Sequence, residues 1–487
     1  MERECIEEGL PTTRPLLLDA QPTPNTIHEI SNFNRAARDS SIASVLFLST
    51  FIAVCGSFCY GCSVGYSSPA ESGIMQDLGL SLAAYSVFGS ILTIGGMIGA
   101  IISGKIADVV GRRRTMLLAE LFCTPGCLAI AFAKDAWWLD IGRLLIGLGA
   151  GLLTYVVPVY VAEITPKNLR GRFTSAHQML TSCGFAFSYC IGNIISWRTL
   201  ALLGSIPCLL QLLGLFFIPE SPRWLAKRGR EKEFEASLQH LWGKNADVSV
   251  EAMDIRDIIE SFQHNSEGNA LDLFQRRYCY SIIVGVGLML LQQFGGNSGV
   301  VYYSSTIFAE ADFSTILGST ALAIISLVAA TVSLLLMDIF ARRTLLMVSS
   351  GGTCLFLSLV GLSFLLKEHG YLKDLTPFMA FAGLLRGYLM TFGVGISIIP
   401  WVIMSEIFPV SVKASAGSLV TLTNWSCSWL VSYTFNFMME WSSAGTFFIF
   451  ATMCGFTVLF VWKLVPETKG RTLEEIQAKM VFNPQDI

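Results

Sequence analysis

Charged side chains are scarce in this sequence. Asp, Glu, Lys and Arg make up 14% of its 487 residues, against roughly a quarter in an ordinary soluble protein. This scarcity excludes a soluble globular protein, and the net charge of −3 gives no indication of a nucleic-acid partner. A nucleotide-binding loop, a nucleophile triad and a metal-ligand spacing are also missing. We therefore expect no enzymatic activity, no cofactor and no bound metal.

Long apolar runs take the place of the missing charge. Runs of 18 or more mostly apolar residues recur along the chain, each long enough to cross a bilayer core of roughly 30 Å as a helix. The predicted spans are approximately 44–66, 85–104, 115–133, 138–160, 174–196, 199–218, 278–300, 315–337, 344–366, 376–402, 415–437 and 444–465. Most of the thirteen cysteines lie inside these runs, which predicts buried free thiols.

The spans predict an all-α membrane protein with twelve transmembrane helices in two pseudo-symmetric six-helix bundles. The bundles cover residues 44–218 and 278–465. Between them, residues 219–277 are too charged to cross the membrane, and short amphipathic helices in a cytosolic linker are predicted there. Residues 1–43 and 466–487 are predicted as cytosolic tails, the first of them disordered. Lys and Arg concentrate in the tails and in alternate loops, which places both termini in the cytosol.

The charged residues of the two halves repeat one another. Arg143 precedes Glu163 by 20 residues, and Arg386 precedes Glu406 by the same number. We expect Arg143 and Glu163 on neighbouring helices, where pairing makes a charge at a helix end tolerable. Such pairs would close the cytoplasmic side when the halves meet; the alternative is static charges that only set the topology. The predicted network comprises Asp108, Arg112, Arg143, Glu163, Arg170, Glu220, Asp338, Arg342, Arg386, Glu406 and Glu467.

Several motifs together resemble the sugar porter family of the major facilitator superfamily. They are GKIADVVGRRR (104–114), PVYVAEITPKNLRGR (158–172), PESPRWL (219–225), QQFGG (292–296), IPWVIMSEIFP (399–409), NW (424–425) and PETKGRTLEEI (466–476). Within that family the sequence is most similar to the plant early-response-to-dehydration-like monosaccharide transporters. The resemblance implies the major facilitator fold and transport of a monosaccharide, a hexose such as glucose or fructose. We expect a functional monomer in a lipid bilayer.

Amides inside the apolar spans are the candidate sugar-binding residues. An amide supplies donors and an acceptor to sugar hydroxyls without a buried charge, and aromatic rings cover the apolar face of the sugar. The candidates, whose roles the resemblance also implies, are Gln178, Gln292, Gln293, Trp401, Asn424 and Trp425. The family pattern QQ-x-x-G-x-N places its asparagine at Ser298, one residue after Asn297, and either residue could face the sugar. The alternative for each amide is a hydrogen bond to a neighbouring helix.

A gate is predicted next to these amides. Tyr302 and Tyr303 follow a glycine-rich stretch at 295–299, and the resemblance implies an outer gate of bulky rings there. The alternative is a belt of aromatic residues at the membrane interface. Pro400 removes a backbone donor from the tenth span and is predicted to break it.

The first span contains no Asp, Glu or His. Proton-coupled relatives carry an aspartate there, facing the arginine that matches Arg143, whereas Ser63 occupies that position in this sequence. Facilitated diffusion is therefore the predicted mechanism. The alternatives are proton symport, for which His177 is a candidate group, and a sugar sensor on the same fold.

The N-terminal segment EEGLPTTRPLLLD (7–19) resembles dileucine sorting signals of tonoplast carriers. Leu16, Leu17 and Leu18 could bind sorting adaptors or form a chance apolar patch. This segment favours the vacuolar membrane over the plasma membrane.

Overall fold

A computed structural model describes residues 24–166, 170–242, 249, 252–253, 255–257, 273–370, 376–408 and 412–469. The first half of the chain contains α1 (Pro24–Gly65), α2 (Ser67–Leu78), α3 (Leu82–Val110), α4 (Arg112–Ala131), α5 (Ala136–Ile164), α6 (Arg170–Gly192) and α7 (Trp197–Gly214). The linker contributes α8 (Pro222–Lys227) and α9 (Glu231–Trp242).

The second half follows the same plan with more interruptions. Its helices are α10 (Cys279–Phe294), α11 (Asn297–Tyr302), α12 (Ser304–Glu310), α13 (Thr315–Ile339), α14 (Arg342–Glu368), α15 (Thr376–Phe381), α16 (Met390–Val394), α17 (Ile399–Ile407), α18 (Lys413–Trp441) and α19 (Ser443–Leu464). A π-helical segment, Ala382–Leu389, joins α15 to α16.

Ten helical stretches of the described chain are long and apolar enough to cross a membrane by length and composition. The remaining two predicted spans correspond to α6 and α18, which have 23 and 29 residues. These two helices are long enough to cross, but they carry polar side chains such as His177, Gln178 and Asn424, which lower their apolar character. The helices least suited to lipid are thus two of those that hold candidate site residues.

The outer surface of the bundle is apolar. Phe132, Trp137, Phe217, Leu335 and Trp462 are among many large apolar side chains left exposed. In water a continuous surface of this kind would drive association, whereas in a bilayer it is the surface that contacts the acyl chains.

Two boundaries outside the bundles can be compared with the sequence prediction. Helix α1 begins at Pro24, so residues 24–43 of the predicted disordered tail have helical backbone. Proline suits a first helical position because its φ is already that of a helix. In the linker, α9 forms where an amphipathic helix was predicted, and Phe234 and Leu238 on its apolar face are buried against Trp224 and Ile255.

Two spans of the second half are interrupted near their middles. The seventh breaks at Gly295 and Gly296, and Gly296 adopts a φ of 87°, which favours glycine. The tenth breaks at residues 395–398, immediately before Pro400 near the start of α17. Breaks therefore occur at or beside both predicted weak points, and the two spans are connected there, because Gln292, three residues before Gly295, donates to the Ile396 carbonyl inside the second break.

Candidate functional site

Gln292 connects the seventh span to the break in the tenth. Its Nε2 donates to the carbonyl oxygens of Ile396 at 2.6 Å and Ser397 at 2.9 Å. These carbonyls lie in the interrupted segment of the tenth span, where the regular helical pattern of hydrogen bonds is lost. Its Oε1 accepts a hydrogen bond from Asn424 Nδ2 at 2.9 Å, so three spans meet at this one amide.

Gln293 and Ser298 form a second, shorter chain of polar contacts. The Ser298 hydroxyl donates to Gln293 Oε1 at 2.9 Å and lies 2.6 Å from the Ser428 hydroxyl. Ser298 is buried, whereas Asn297 is half-buried and its side chain forms no hydrogen bond with another described residue. The helix break at Gly296 thus leaves Asn297, and not Ser298, accessible.

Several hydrogen-bonding atoms in this cluster remain free within the described part of the chain. They are Gln293 Nε2, Asn424 Oδ1 and the Asn297 side-chain amide. Gln178 on α6 and Trp401 on α17 are half-buried, so neither side chain is fully enclosed by its neighbours. Free donors and acceptors beside a partly accessible aromatic ring can bind a polyhydroxylated ligand.

Trp425 bridges the two halves. Its ring lies against Gly96 of α3, where an added Cβ would come within 2.6 Å of it. It also meets the Tyr60 ring edge-on at a centroid distance of 6.4 Å. The predicted candidates Asn424 and Trp425 therefore occupy different surroundings, the first inside the second half and the second at the contact between the halves.

Tyr302 and Tyr303 lie at one end of the bundle, called here the tyrosine end. Tyr303 is 0% exposed and stacks on Phe435 at 5.4 Å. Its hydroxyl fills the space above Gly89 of α3, where a Cβ would come within 2.4 Å. Tyr302 is also buried, so neither ring belongs to an aromatic belt facing the membrane interface.

Polar contacts close the tyrosine end. The Ser68 hydroxyl lies 2.9 Å from that of Ser304 and accepts from the Ser305 amide at 2.8 Å. Thr306 donates to the Glu71 carboxylate at 2.5 Å. Burial raises the pKa of Glu71 to about 7, although the Thr306 hydrogen bond acts in the opposite direction. The two halves therefore meet here through side chains that water could solvate if they separated.

Ion pairs gather at the other end of the bundle, called here the charged end. In the first half, Arg112 holds Glu163 through two hydrogen bonds, at 2.9 and 3.0 Å, and donates to Asp108 at 2.9 Å. The equivalent pair in the second half is Arg342 with Glu406, at 2.9 Å. Among the described residues, no ion pair at this end joins one half to the other.

Glu220 and Glu467 occupy equivalent positions in the repeat. Glu220 accepts from the backbone amide of Arg113 at 3.0 Å, and Glu467 accepts from that of Arg343 at 3.1 Å. Each carboxylate thereby caps the N-terminus of a helix, where its charge is favourable. Burial raises the pKa of Glu220, and its hydrogen bonds from backbone amides oppose this shift. The side chains of Arg170, Asp338 and Arg386 lie outside the described residues, as do Leu16, Leu17 and Leu18.

The predicted pairing of Arg143 with Glu163 is wrong. Both residues lie on α5, where 20 residues of helix separate them by about 30 Å. Arg143 is instead near the tyrosine end, 0% exposed. Its Nη1 donates to the Ser63 carbonyl at 2.8 Å and Nη2 donates to the Ser67 hydroxyl. No carboxylate among the described residues pairs with it, and the rings of Tyr66 and Phe88 flank the guanidinium.

Sequence reasoning missed three residues of the site. Ser428 follows Asn424 by four residues on α18, so helical periodicity could have identified it. Tyr60 and Tyr388 are single aromatic residues in apolar runs, and no local pattern distinguishes them from ordinary core residues. His177, considered for proton coupling, lies 2.7 Å from the Ser57 hydroxyl within the first half.

Two six-helix halves around amide-bearing broken helices define a membrane transporter of the major facilitator fold. The sequence profile described as "Sugar (and other) transporter" matches residues 41–480. The chain therefore belongs to this family, which confirms the resemblance seen in the sequence motifs.

Individual relatives agree with this assignment. The chain is 54% identical over 439 residues to the sugar transporter ESL1 of Arabidopsis thaliana, covering 90% of this chain and 93% of the relative. It is 51% identical over 437 residues to the sugar transporter ERD6 of the same plant, covering 90% of this chain and 88% of the relative. Both relatives are named as sugar transporters.

Solved structures of the xylose transporter XylE from E. coli share the fold. The inward-open conformation superposes with a TM-score of 0.76 at 25% identity, covering 89% of this chain and 99% of that one. The proton:xylose symporter bound to 6-bromo-6-deoxy-D-glucose gives a TM-score of 0.72 at 26% identity, covering 90% and 99%. The higher score belongs to the inward-open conformation.

Proposed function

We propose that the protein moves monosaccharides, hexoses such as glucose or fructose, across a membrane by alternating access of its two halves. The contact of Gln292 with both Asn424 and the broken segment of the tenth span carries this proposal. A sugar hydroxyl that binds the Gln292–Asn424 pair acts directly on the part of the tenth span that is able to bend. Binding energy at the midplane can therefore shift the balance between the two conformations.

The tyrosine end acts as one gate in this scheme. Tyr302 and Tyr303 cover the site from that side in the closed conformation, and the break before Pro400 lets the tenth span move. The contacts between halves at this end are hydrogen bonds among hydroxyls, a backbone amide and the Glu71 carboxylate, and a hydrogen bond between membrane helices averages about 0.6 kcal/mol. A few such bonds are weak enough to break once in every transport cycle.

Facilitated diffusion is the proposed mode of transport. The surroundings of Arg143 support it, because the guanidinium contacts the Ser63 carbonyl and the Ser67 hydroxyl, neither of which titrates near neutral pH. Within the described part of the chain, the charge of Arg143 therefore has no carboxylate or imidazole partner that could take up and release a proton during the cycle.

The remaining features of the proposal concern orientation and location. The charged end faces the cytosol, as do both termini, in keeping with the distribution of Lys and Arg in the loops. The charge clusters then hold each half together on the cytosolic side while the halves move. We place the protein in the vacuolar membrane as a functional monomer, with Leu16, Leu17 and Leu18 available to sorting adaptors.

Flux through proteoliposomes tests this proposal. Labelled glucose, fructose and xylose should enter liposomes that contain the protein until inside and outside concentrations are equal. An imposed pH gradient should not change that end point. Accumulation above the outside concentration would establish symport, and binding without flux would establish a sensor; either result contradicts the proposal.

A pair of variants locates the site. Gln293→Ala removes the free Nε2 donor and should raise the KM for sugar by about tenfold, the loss of one good hydrogen bond to a ligand. Gln239→Ala makes the same truncation on an exposed position of the linker helix α9 and should leave uptake unchanged. Equal KM values for the two variants would remove Gln293 from the site.

A further inference from the structure

A cluster of cysteines and one glutamate lies inside the first half, apart from the sugar site. Cys59 comes from α1, Glu120 and Cys123 from α4, and Cys208 from α7. All four side chains are fully buried. The two residues from α4 are three positions apart and therefore share one face of that helix.

Three ligand atoms of the cluster lie close to one another, and the fourth lies beside one of them. One sulfur or oxygen atom each from Cys59, Glu120 and Cys123 lies within 4.8 Å of the others. The sulfur of Cys208 lies 2.8 Å from that of Cys59. A tetrahedral zinc ion with bonds of about 2.0–2.3 Å holds its ligand atoms roughly 3.3–3.8 Å apart. Side-chain rotations that move the sulfur and oxygen atoms by about 1 Å would therefore complete the geometry.

The carboxylate of Glu120 gives an independent indication of a ligand. Both of its oxygens are buried, and neither accepts a hydrogen bond from any donor in the described part of the chain. The Cys208 thiol faces this carboxylate without reaching hydrogen-bonding geometry. A buried carboxylate without a partner is unfavourable, and coordination to a divalent cation would give its oxygens one.

From this geometry we infer that Cys59, Glu120, Cys123 and Cys208 bind a structural zinc ion. Thiolate sulfur together with carboxylate oxygen is a ligand set that zinc accepts, while Cu(I) prefers sulfur alone and Mg²⁺ or Ca²⁺ prefers oxygen alone. A disulfide between Cys59 and Cys208 would explain the short sulfur contact but would leave Glu120 unaccounted for. The ion would tie the first, third and sixth spans together, so that the first half moves as one body.

Metal content and X-ray absorption of the purified full-length protein test the inference. After purification in detergent, brief incubation with zinc and removal of unbound metal, we expect about one zinc per chain. The absorption spectrum should show zinc–sulfur distances near 2.3 Å together with a shorter zinc–oxygen distance near 2.0 Å. Protein without zinc, or zinc surrounded only by oxygen and nitrogen, would overturn the inference.

Variants connect the metal to this cluster. Cys59→Ser and Glu120→Gln should each lower the zinc affinity by at least about tenfold, while Cys454→Ser, which changes a buried cysteine of the second half, should keep one zinc per chain. Equal zinc content in all three variants would assign the metal to another place. A zinc-free wild-type protein about 2 Da lighter than its reduced mass would show the Cys59–Cys208 disulfide instead. If a variant does not fold, the absorption spectrum of the wild-type protein still shows whether zinc is bound by sulfur and oxygen ligands.

Discussion

Replacing Gln292 with alanine removes a side chain that hydrogen-bonds on three sides. Its Nε2 bonds to Ile396 at 2.6 Å and to Ser397 at 2.9 Å, and its Oε1 bonds to Asn424 at 2.9 Å. The Ile396 residue is 2% exposed, so water cannot replace the lost donor there. Ser397 is half-buried, and its carbonyl can be solvated from the interior space.

The expected loss of stability follows from this difference. One buried carbonyl without a donor costs about 1–3 kcal/mol, and hydrogen bonds between membrane helices average about 0.6 kcal/mol. We therefore expect Gln292→Ala to lose roughly 1–3 kcal/mol, most of it at Ile396. At about 2–4 °C per kcal/mol for a chain of moderate size, the unfolding midpoint should fall by roughly 2–12 °C.

Two companion variants separate this effect from loss of sugar contacts. Gln293→Ala removes an amide of the same size whose described partner, Ser298, keeps its bond to Ser428, so its unfolding midpoint should stay near that of the wild type. Gln292→Glu keeps the shape but sets carboxylate oxygens against the carbonyls of Ile396 and Ser397. It should destabilise at least as much as Gln292→Ala.

Thermal unfolding in detergent and uptake kinetics provide the measurements. Gln292→Ala should lower kcat more than it raises KM, because the break in the tenth span loses its connection to the seventh, whereas Gln293→Ala should mainly raise KM. The reasoning fails if Gln292→Glu unfolds within about 1 °C of the wild type with unchanged kcat. In that case the bonds to the broken segment would contribute nothing.

Three further predictions concern the tyrosine end. Gly89→Ala places a Cβ within 2.4 Å of the Tyr303 hydroxyl. The two halves should then separate at this end, and spin-label distances across it should lengthen. Unchanged distances would show that the Tyr303 side chain moves aside instead. Ser63→Asp puts a carboxylate beside the buried Arg143 guanidinium, and uptake should become dependent on pH; a flat pH profile would contradict this reading. Burial raises the pKa of Glu71 to about 7, above that of an exposed carboxyl, so closure takes up a proton. The closed conformation is therefore favoured below about pH 4.5 and loses that advantage as the pH rises through about 7. Spin-label distances should show this shift, and it should disappear in Glu71→Gln.

The predicted helices came from local patterns that the structure largely reproduces. The length of the apolar runs predicted the spans. The glycines at 295 and 296 predicted the break in the seventh span, and Pro400 predicted the break in the tenth. α6 and α18 are the two spans that length and composition alone do not select in the structure, and both carry polar candidate residues. These signals are local, since each depends on the chemistry of a few neighbouring residues.

The charge repeat shows where local patterns fail. The repeated spacing identified residues of the charged end, but it also paired Arg143 with Glu163, which lie at opposite ends of one helix. The actual partner of Glu163 is Arg112, 51 positions away along the chain. The repeated spacing of charged residues shows that the two halves are related in sequence. It does not show which side chains are in contact.

The gating and binding residues divide in a similar way. Gln292 and Gln293 are adjacent in sequence, yet one ties two broken spans together and the other leaves a donor free. The family pattern pointed to Ser298, but the positive φ of Gly296 leaves Asn297 accessible and ties Ser298 to Ser428. Ser298 is thus the buried residue of the two and Asn297 the more exposed one.

The sequence by itself determined the solvent of this protein, the division into two halves and the family to which it belongs. Scarce charge and long apolar runs require a bilayer, and the repeated motifs require two similar bundles. Only the tertiary structure decided which amides meet, which end is closed and that the ligand atoms of Cys59, Glu120 and Cys123 lie together in the interior. Such contacts depend on how each helix is rotated and tilted against its neighbours. That rotation results from packing along the whole length of several helices, so no short stretch of sequence contains it.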